Sequence, residues 1–126
     1  MDMIVAIIQP SKLNDVKEAL VEAGIQGMTV TSAKGFGRQK GRPLAFLGLY
    51  DLQGKAFTVD FLPKVRIELV VPSTMTDLVV DSIIRAAQTG KIGDGKVFVL
   101  PVSRGIRIRT GECDQTALSI KEAVVN

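Results

Sequence analysis

Twice in this chain a run rich in β-branched residues is halted by a proline, followed by apolar residues at helical spacing, and closed by a glycine. Met3-Ile-Val-Ala-Ile-Ile8 precedes Pro10, after which Leu13, Val16, Ala19, Leu20 and Ala23 recur toward Gly24. In the second pass Val65, Ile67, Leu69 and Val71 alternate with Arg66, Glu68 and Val70 ahead of Pro72. Met75, Leu78, Val79, Ile83 and Ala86 then form a helical stripe that ends near Gly90. Proline lacks the N–H a strand ladder needs, and glycine accepts the left-handed conformation on which helices end. Both passes therefore read as strand, turn, helix, stop. Ser11, and Ser73 or Thr74, are placed to cap the two helices. Met28 to Ala33 supplies a strand after the first helix on its β-branched content, and Lys96-Val-Phe-Val-Leu100 supplies one after the second. The order strand, helix, strand, long connection, strand, helix, strand predicts an α+β, split βαβ sandwich, in preference to a doubly wound parallel sheet. Two helices cover one face of its antiparallel sheet. Ile106-Arg-Ile-Arg109 alternates again and predicts a short extra strand with both arginines on one side. Beyond Thr110 the periodicity fades, so residues 1–112 read as the domain and 113–126 as a mobile tail.

At 126 residues and 46% hydrophobic, the chain can bury one core but not two. It contains no His. That removes imidazole metal ligands and the Ser-His-Asp and Cys-His arrangements, and with them most hydrolase mechanisms. Cys113 is the single cysteine, flanked by Glu112 and Asp114, and without a positive neighbour to favour a thiolate it reads as inert. No run approaches the ~18 apolar residues of a membrane span, and the apolar N-terminus lacks a basic leader and cleavage site. A cytoplasmic location is expected.

The net charge of +3 is small, but the positive groups are clustered. Lys34-Gly-Phe-Gly-Arg-Gln-Lys-Gly-Arg42 carries four positive side chains and no acid. Its glycines let backbone amides turn toward an anion, although a basic glycine-rich turn is often no more than solvated chain. Thr89-Gly-Lys-Ile-Gly-Asp-Gly-Lys96 is a second such segment, with more glycine than one helix stop requires. It leaves a helix and enters a strand, the reverse of a Walker A loop, so no helix N-terminus faces the anion and backbone amides must serve. Arg107 and Arg109 add guanidiniums suited to bidentate phosphate contacts. Together these groups favour a multiply charged anion such as a nucleotide over a merely solvated surface. Residues 37–56 fit neither period yet carry Leu44, Phe46, Leu47, Leu49, Tyr50 and Leu52, either as packing on the domain or a neighbouring subunit, or as a docking arm for a partner.

Five blocks in order, Gly24-Ile-Gln-Gly-Met-Thr-Val30, Gly35-Phe-Gly-Arg-Gln-Lys-Gly41, Val59-Asp-Phe-Leu-Pro-Lys64, Thr89-Gly-Lys-Ile-Gly-Asp-Gly-Lys-Val-Phe98 and Ile106-Arg-Ile-Arg-Thr-Gly-Glu112, make the sequence resemble the PII signal-transduction (nitrogen regulatory protein P-II) family. The resemblance runs from Ile4 to Glu112. It implies a homotrimer of ferredoxin-like subunits with ATP or ADP in each intersubunit cleft. It also implies a long T-loop, about 37–57, that touches the regulated protein. Adenine contacts fall on Ile7, Thr29 and Gly35. Gly37, Arg38, Gln39, Gly93, Gly95, Lys96, Arg107 and Arg109 complete the nucleotide set. 2-Oxoglutarate contacts fall on Gln39, Lys40, Gly41, Lys64, Ile92 and Gly93, with Gln39 helping to hold a magnesium ion that bridges the ATP phosphates and the 2-oxo acid. Magnesium prefers oxygen ligands and needs no carboxylate cage in such a site.

The departures from the family pattern lie in the T-loop. About six extra residues separate Gly41 from Val59, and Phe57 stands where enteric members carry the tyrosine that is uridylylated. Leu47 or Gln53 occupies the place of the arginine that plugs an ammonium channel. The expected targets are an ammonium transporter, an enzyme of nitrogen metabolism, or another transporter outside nitrogen metabolism. Any contact with a membrane is then indirect, through a transporter. An enzyme whose main task is slow ATP hydrolysis is disfavoured, because only Asp94 stands near the phosphates and it reads as a turn former. Nucleic-acid binding is disfavoured by the modest charge and by an aromatic set of one Tyr and five Phe.

Overall fold

The computed structural model describes residues 1–36 and 61–118. β1 (Asp2–Ile8) leads through a 3-10 turn at Pro10–Lys12 into α1 (Leu13–Glu22) and on to β2 (Thr29–Gly35). β3 (Leu62–Val71), a second 3-10 turn at Ser73–Met75, α2 (Thr76–Ala87) and β4 (Gly95–Pro101) repeat the plan. The four strands form one sheet in the order β2-β3-β1-β4, with every pairing antiparallel. This is the ferredoxin-like βαββαβ arrangement that the alternation of periods predicts.

Register decides which residues face the helices, because directly opposed residues share a face. Ile4, Ala6 and Ile8 stand opposite Leu69, Ile67 and Val65, and all six are buried. Val16 and Leu20 from α1, with Val79, Ile83 and Ala87 from α2, close the core over them. Truncating a fully buried member such as Leu20 or Ile67 to Ala costs about 2–5 kcal/mol in such surroundings. Thr76, at the start of α2, donates its hydroxyl to Asp2 Oδ2 at 2.7 Å and ties that helix to the first strand.

Several local expectations are corrected. Neither Ser11 nor Ser73 or Thr74 caps a helix, because each proline opens a 3-10 turn whose own backbone starts the helix. Lys12 N–H donates to Gln9 O at 3.0 Å, and Met75 N–H donates to Pro72 O at 2.8 Å. Leu78 is 53% exposed, since α2 turns Thr76, Val79, Ile83 and Ala87 inward instead. Gly24 does end α1, with φ +93°, but α2 ends at Ala87 and passes into an extended Gln88, leaving Gly90 inside the following loop. The second strand is displaced slightly from Met28–Ala33 to Thr29–Gly35.

Ile106 to Arg109 is not a strand. Ile106 bridges to Cys113, Arg107 N–H donates to Glu112 O, and Gly111 N–H returns to Arg107 O at 2.7 Å, so the segment is one arm of a tight turn. Gly111 at φ +74° and Asp114 at φ +57° make that reversal possible. Residues 113–118, the start of the stretch expected as a tail, make defined contacts as far as a 3-10 turn at Thr116–Leu118. Gly37, Arg38, Gln39, Lys40, Gly41, Phe57 and the apolar set Leu44, Phe46, Leu47, Leu49, Tyr50 and Leu52 lie outside the described residues. So do residues 119–126.

Candidate functional site

The helices cover one face of the sheet, and the same register that fills the core places the candidate residues on the other. Ile7 stands opposite Lys96 on one side and Arg66 on the other, Ala33 opposite Lys64, Thr29 opposite Glu68, and Gly35 opposite Leu62. Ile7, Thr29, Gly35, Lys64 and Lys96 therefore share the helix-free face.

One cluster forms where β1 ends and β4 begins. The connection from α2 is organised by Asp94, whose carboxylate accepts from the Thr89 hydroxyl, from Thr89 N–H at 2.8 Å and from Gly90 N–H at 2.9 Å. These bonds, the Thr89 hydroxyl foremost, hold the carboxyl below its ordinary value. Asp94 is thus committed to shaping the loop, as its position in the sequence suggests. Gly93 and Gly95 have φ +104° and +111°. At Gly95 a Cβ would lie 1.8 Å from the Ile7 carbonyl oxygen, so no other residue lets β4 start so close to β1.

Lys64 joins this cluster. Its stem runs across Gly35, where an added Cβ would meet Lys64 Cγ at 3.1 Å, and its ammonium donates to the Gly93 carbonyl at 2.9 Å. The Gln9 side-chain amide donates to the same oxygen at 2.7 Å. Gly35, Lys64, Gly93, Gly95, Lys96 and Ile7 are thereby brought together. Gln9 is the residue that the sequence does not announce, because a lone amide after a strand carries no pattern. Ile92 lies in the same loop, exposed.

The two arginines are elsewhere. β4 runs away from Gly95 to Pro101 opposite Asp2, Val102 N–H donates to Met1 O, and Gly105 lies against the Met1 side chain. Arg107 Nη2 then donates to Ala117 O at 2.7 Å. Leu118, one residue on, lines a cavity of about 320 Å³ with Met3, Gly27, Met28 and Thr29. A second group, comprising Arg107 and Thr29 with Arg109 in the same turn, thus occupies the Met1 end. Ile7 is six residues from Met1 along β1, which at about 3.3 Å per residue separates the two groups by about 20 Å. Sequence reasoning treated them as one set, and the fold divides them.

At the foot of residues 37–60, the Phe36 and Phe61 rings meet with centroids 6.1 Å apart. Among the described residues no three His, Cys, Asp or Glu side chains gather as a metal site, and no helix is long and apolar enough to cross a membrane. Cys113 is exposed, with its thiol on the Gly111 carbonyl.

Comparison with known proteins bears on what these groups do. The family model described as "Nitrogen regulatory protein P-II" matches residues 1–112. Nitrogen regulatory protein P-II 1 of Escherichia coli strain K12 is 60% identical over 118 residues, covering 94% of this chain and 100% of that protein. Nitrogen regulatory protein P-II of Klebsiella oxytoca is 59% identical and that of Rhodobacter capsulatus 52% identical over the same extents.

Proposed function

This chain belongs to the P-II family of nitrogen regulatory proteins, and on that footing we propose that it senses ATP or ADP together with 2-oxoglutarate between the subunits of a homotrimer. It is a signalling protein, not an enzyme, and in this reading it works in the cytoplasm. The bound state reaches a target protein through the T-loop, residues 37–57. The target is an ammonium transporter or an enzyme of nitrogen metabolism.

The observation that carries this reading is the division of the site. Within one copy the two halves of the nucleotide set stand at opposite ends of a strand, about 20 Å apart, and do not face each other across a cleft. Two copies side by side bring the Gly93 end of one against the Arg107 end of the next. The helix-free face supports such packing, because Phe98 and Leu100 are 51% and 42% exposed there. Large apolar side chains on one face gain about 25 cal/mol per Å² when a second surface covers them.

The chemistry of each part follows. Ile7 offers an apolar wall to a purine, and the amides of the glycine loop turn toward phosphate oxygens. Lys96 supplies a point charge, and Arg107 and Arg109 supply planar forks. Lys64 pairs with a carboxylate of the 2-oxo acid. Gln39 would help to hold a magnesium ion, which would supply charge neutralisation when bound. Arg38 and Gln39 lie on the same continuous segment as Leu44 to Leu52, so a ligand that binds one arrangement of that segment more tightly shifts its population, and the target reads the shift.

Thermal unfolding tests the reading. Magnesium-ATP at a hundred times its dissociation constant adds about 2.7 kcal/mol to the native state. Arg107→Ala with Arg109→Ala abolishes the gain, as does Lys96→Ala. Refolding the two defective proteins together restores binding in clefts that combine an intact half from each. Failure of the mixture to bind, with each parent trimeric, places the site within a single subunit and overturns the proposal.

A further inference from the structure

The Gly93 carbonyl has two lone pairs and, among the described residues, two side-chain donors. Lys64 reaches it from β3 and Gln9 from the end of β1, positions 29 and 84 residues away along the chain. Both contacts are partly buried. The two donors differ in freedom. Gln9 is fixed by its backbone, because its own carbonyl accepts Lys12 N–H in the proline-opened turn. Lys64 ends in an ammonium on a flexible stem, and an ammonium forms a stronger bond with a carboxylate than with a neutral carbonyl.

We propose that Gln9 is a positioning residue for the acidic ligand: it keeps hold of the Gly93 carbonyl when a carboxylate draws the Lys64 ammonium away. The inference rests on the reading of Lys64 as the partner of the 2-oxo acid. With Gln9 in place, the exchange leaves the carbonyl one donor, and the loop Thr89–Lys96 keeps its shape. Without Gln9, Lys64 is the sole side-chain donor among the described residues, and its departure strands a half-buried carbonyl. Ligand binding then has to overcome that loss.

Calorimetric titration of 2-oxoglutarate into magnesium-ATP-loaded protein tests this with Gln9→Met, which keeps the length of the side chain and removes the donor. Affinity for 2-oxoglutarate falls about five- to thirtyfold, the effect of leaving one carbonyl unsatisfied in the bound state only. On a Lys64→Ala background the same substitution changes affinity by about twofold or less, because no donor is left to depart and the carbonyl is equally unpaired with and without ligand. A merely structural role for Gln9 predicts equal losses on both backgrounds and a matching loss of ATP affinity, and that pattern overturns the inference. So does unchanged 2-oxoglutarate affinity in Gln9→Met beside a normal wild type. A wild type that binds ATP but no 2-oxoglutarate, or binds it equally after Lys64→Ala, overturns the parent reading of Lys64 and this inference with it. Should Gln9→Met melt at a much lower temperature, Gln9→Asn, which keeps an amide donor on a shorter stem, gives an intermediate loss. The absence of any loss in it counts against the role.

Discussion

The two strand-proline-helix units begin alike and end differently. Both helices start on a 3-10 turn that a proline opens, with no side-chain cap. α1 then finishes within itself: Ile25 N–H donates to Leu20 O at 2.9 Å, Gly24 N–H donates to Val21 O at 3.0 Å, and Ile25 packs back on the core. That is a Schellman ending, satisfied by its own last turn. α2 does not close on itself in this way. Its exit is a loop shaped from inside by Asp94 and held from outside by Gln9 and Lys64, which belong to two other strands or their ends. A helix end that consumes its own polar groups has none to offer. An exit that leaves its amides unconsumed has to be braced by the rest of the fold, and so a disturbance there travels further.

The largest expected effect falls on the braced exit. Gly95→Ala puts a methyl against the Ile7 carbonyl and forces φ +111° on a residue with a Cβ. Strain and overpacking together cost on the order of 3–5 kcal/mol. Chemical denaturation reads it, and a loss under 1 kcal/mol would mean that the loop relaxes as freely as a local ending does. Gly24→Ala is the matched control at the self-contained exit. Nothing lies within 4 Å of its added Cβ, so only the left-handed φ is penalised, at about 1–2 kcal/mol. Its 2-oxoglutarate and ATP affinities should stay at the wild-type values, and a clear loss of either would erase the distinction between the two exits.

The smallest effect concerns acid. Hydrogen bonds from Thr89 and Gly90 depress the Asp94 carboxyl in the folded chain, so its contribution is fully present above the unfolded value near 3.8 and fades as pH falls through the lower folded value. Between neutrality and pH 5 the wild type should melt above Asp94→Ala by a margin that does not change with pH, and below pH 4 the wild type should lose stability more steeply than Asp94→Ala. Parallel acid limbs in the two proteins would remove Asp94 as the internal brace.

The fold was legible wherever one face of an element carries the apolar residues. Ile4, Ala6, Ile8, Val65, Ile67 and Leu69 can be read inward from alternation, and Val16, Leu20, Val79 and Ile83 from helical spacing. Features that depend on competition between local signals were less legible. The serines after Pro10 and Pro72 look like caps, but the prolines begin the turn first. Ile106-Arg-Ile-Arg109 alternates like a strand, but Gly111 and Asp114 fold it back. The candidate site was legible as a set of residue types and not as a place. Alternation puts Ile7 and Lys96 on a common face, yet nothing local indicates that Lys64 and Gln9 converge on one carbonyl, or that Arg107 lies at the far end of the sheet.

The Phe36 and Phe61 rings, which flank residues 37–60 in the sequence and meet each other, bear on how such a chain can diversify. They lie just beyond the paired register that runs from Thr29↔Glu68 to Gly35↔Leu62, so the sheet is already in phase before the excursion starts. The entropy of closing a connection grows only with the logarithm of its length, about 0.6 kcal/mol for a doubling. Insertion beyond such a clasp leaves strand register untouched and asks little of stability. The stretch proposed to meet the target can therefore be lengthened or exchanged while the paired strands that carry the proposed ligand groups are inherited unchanged.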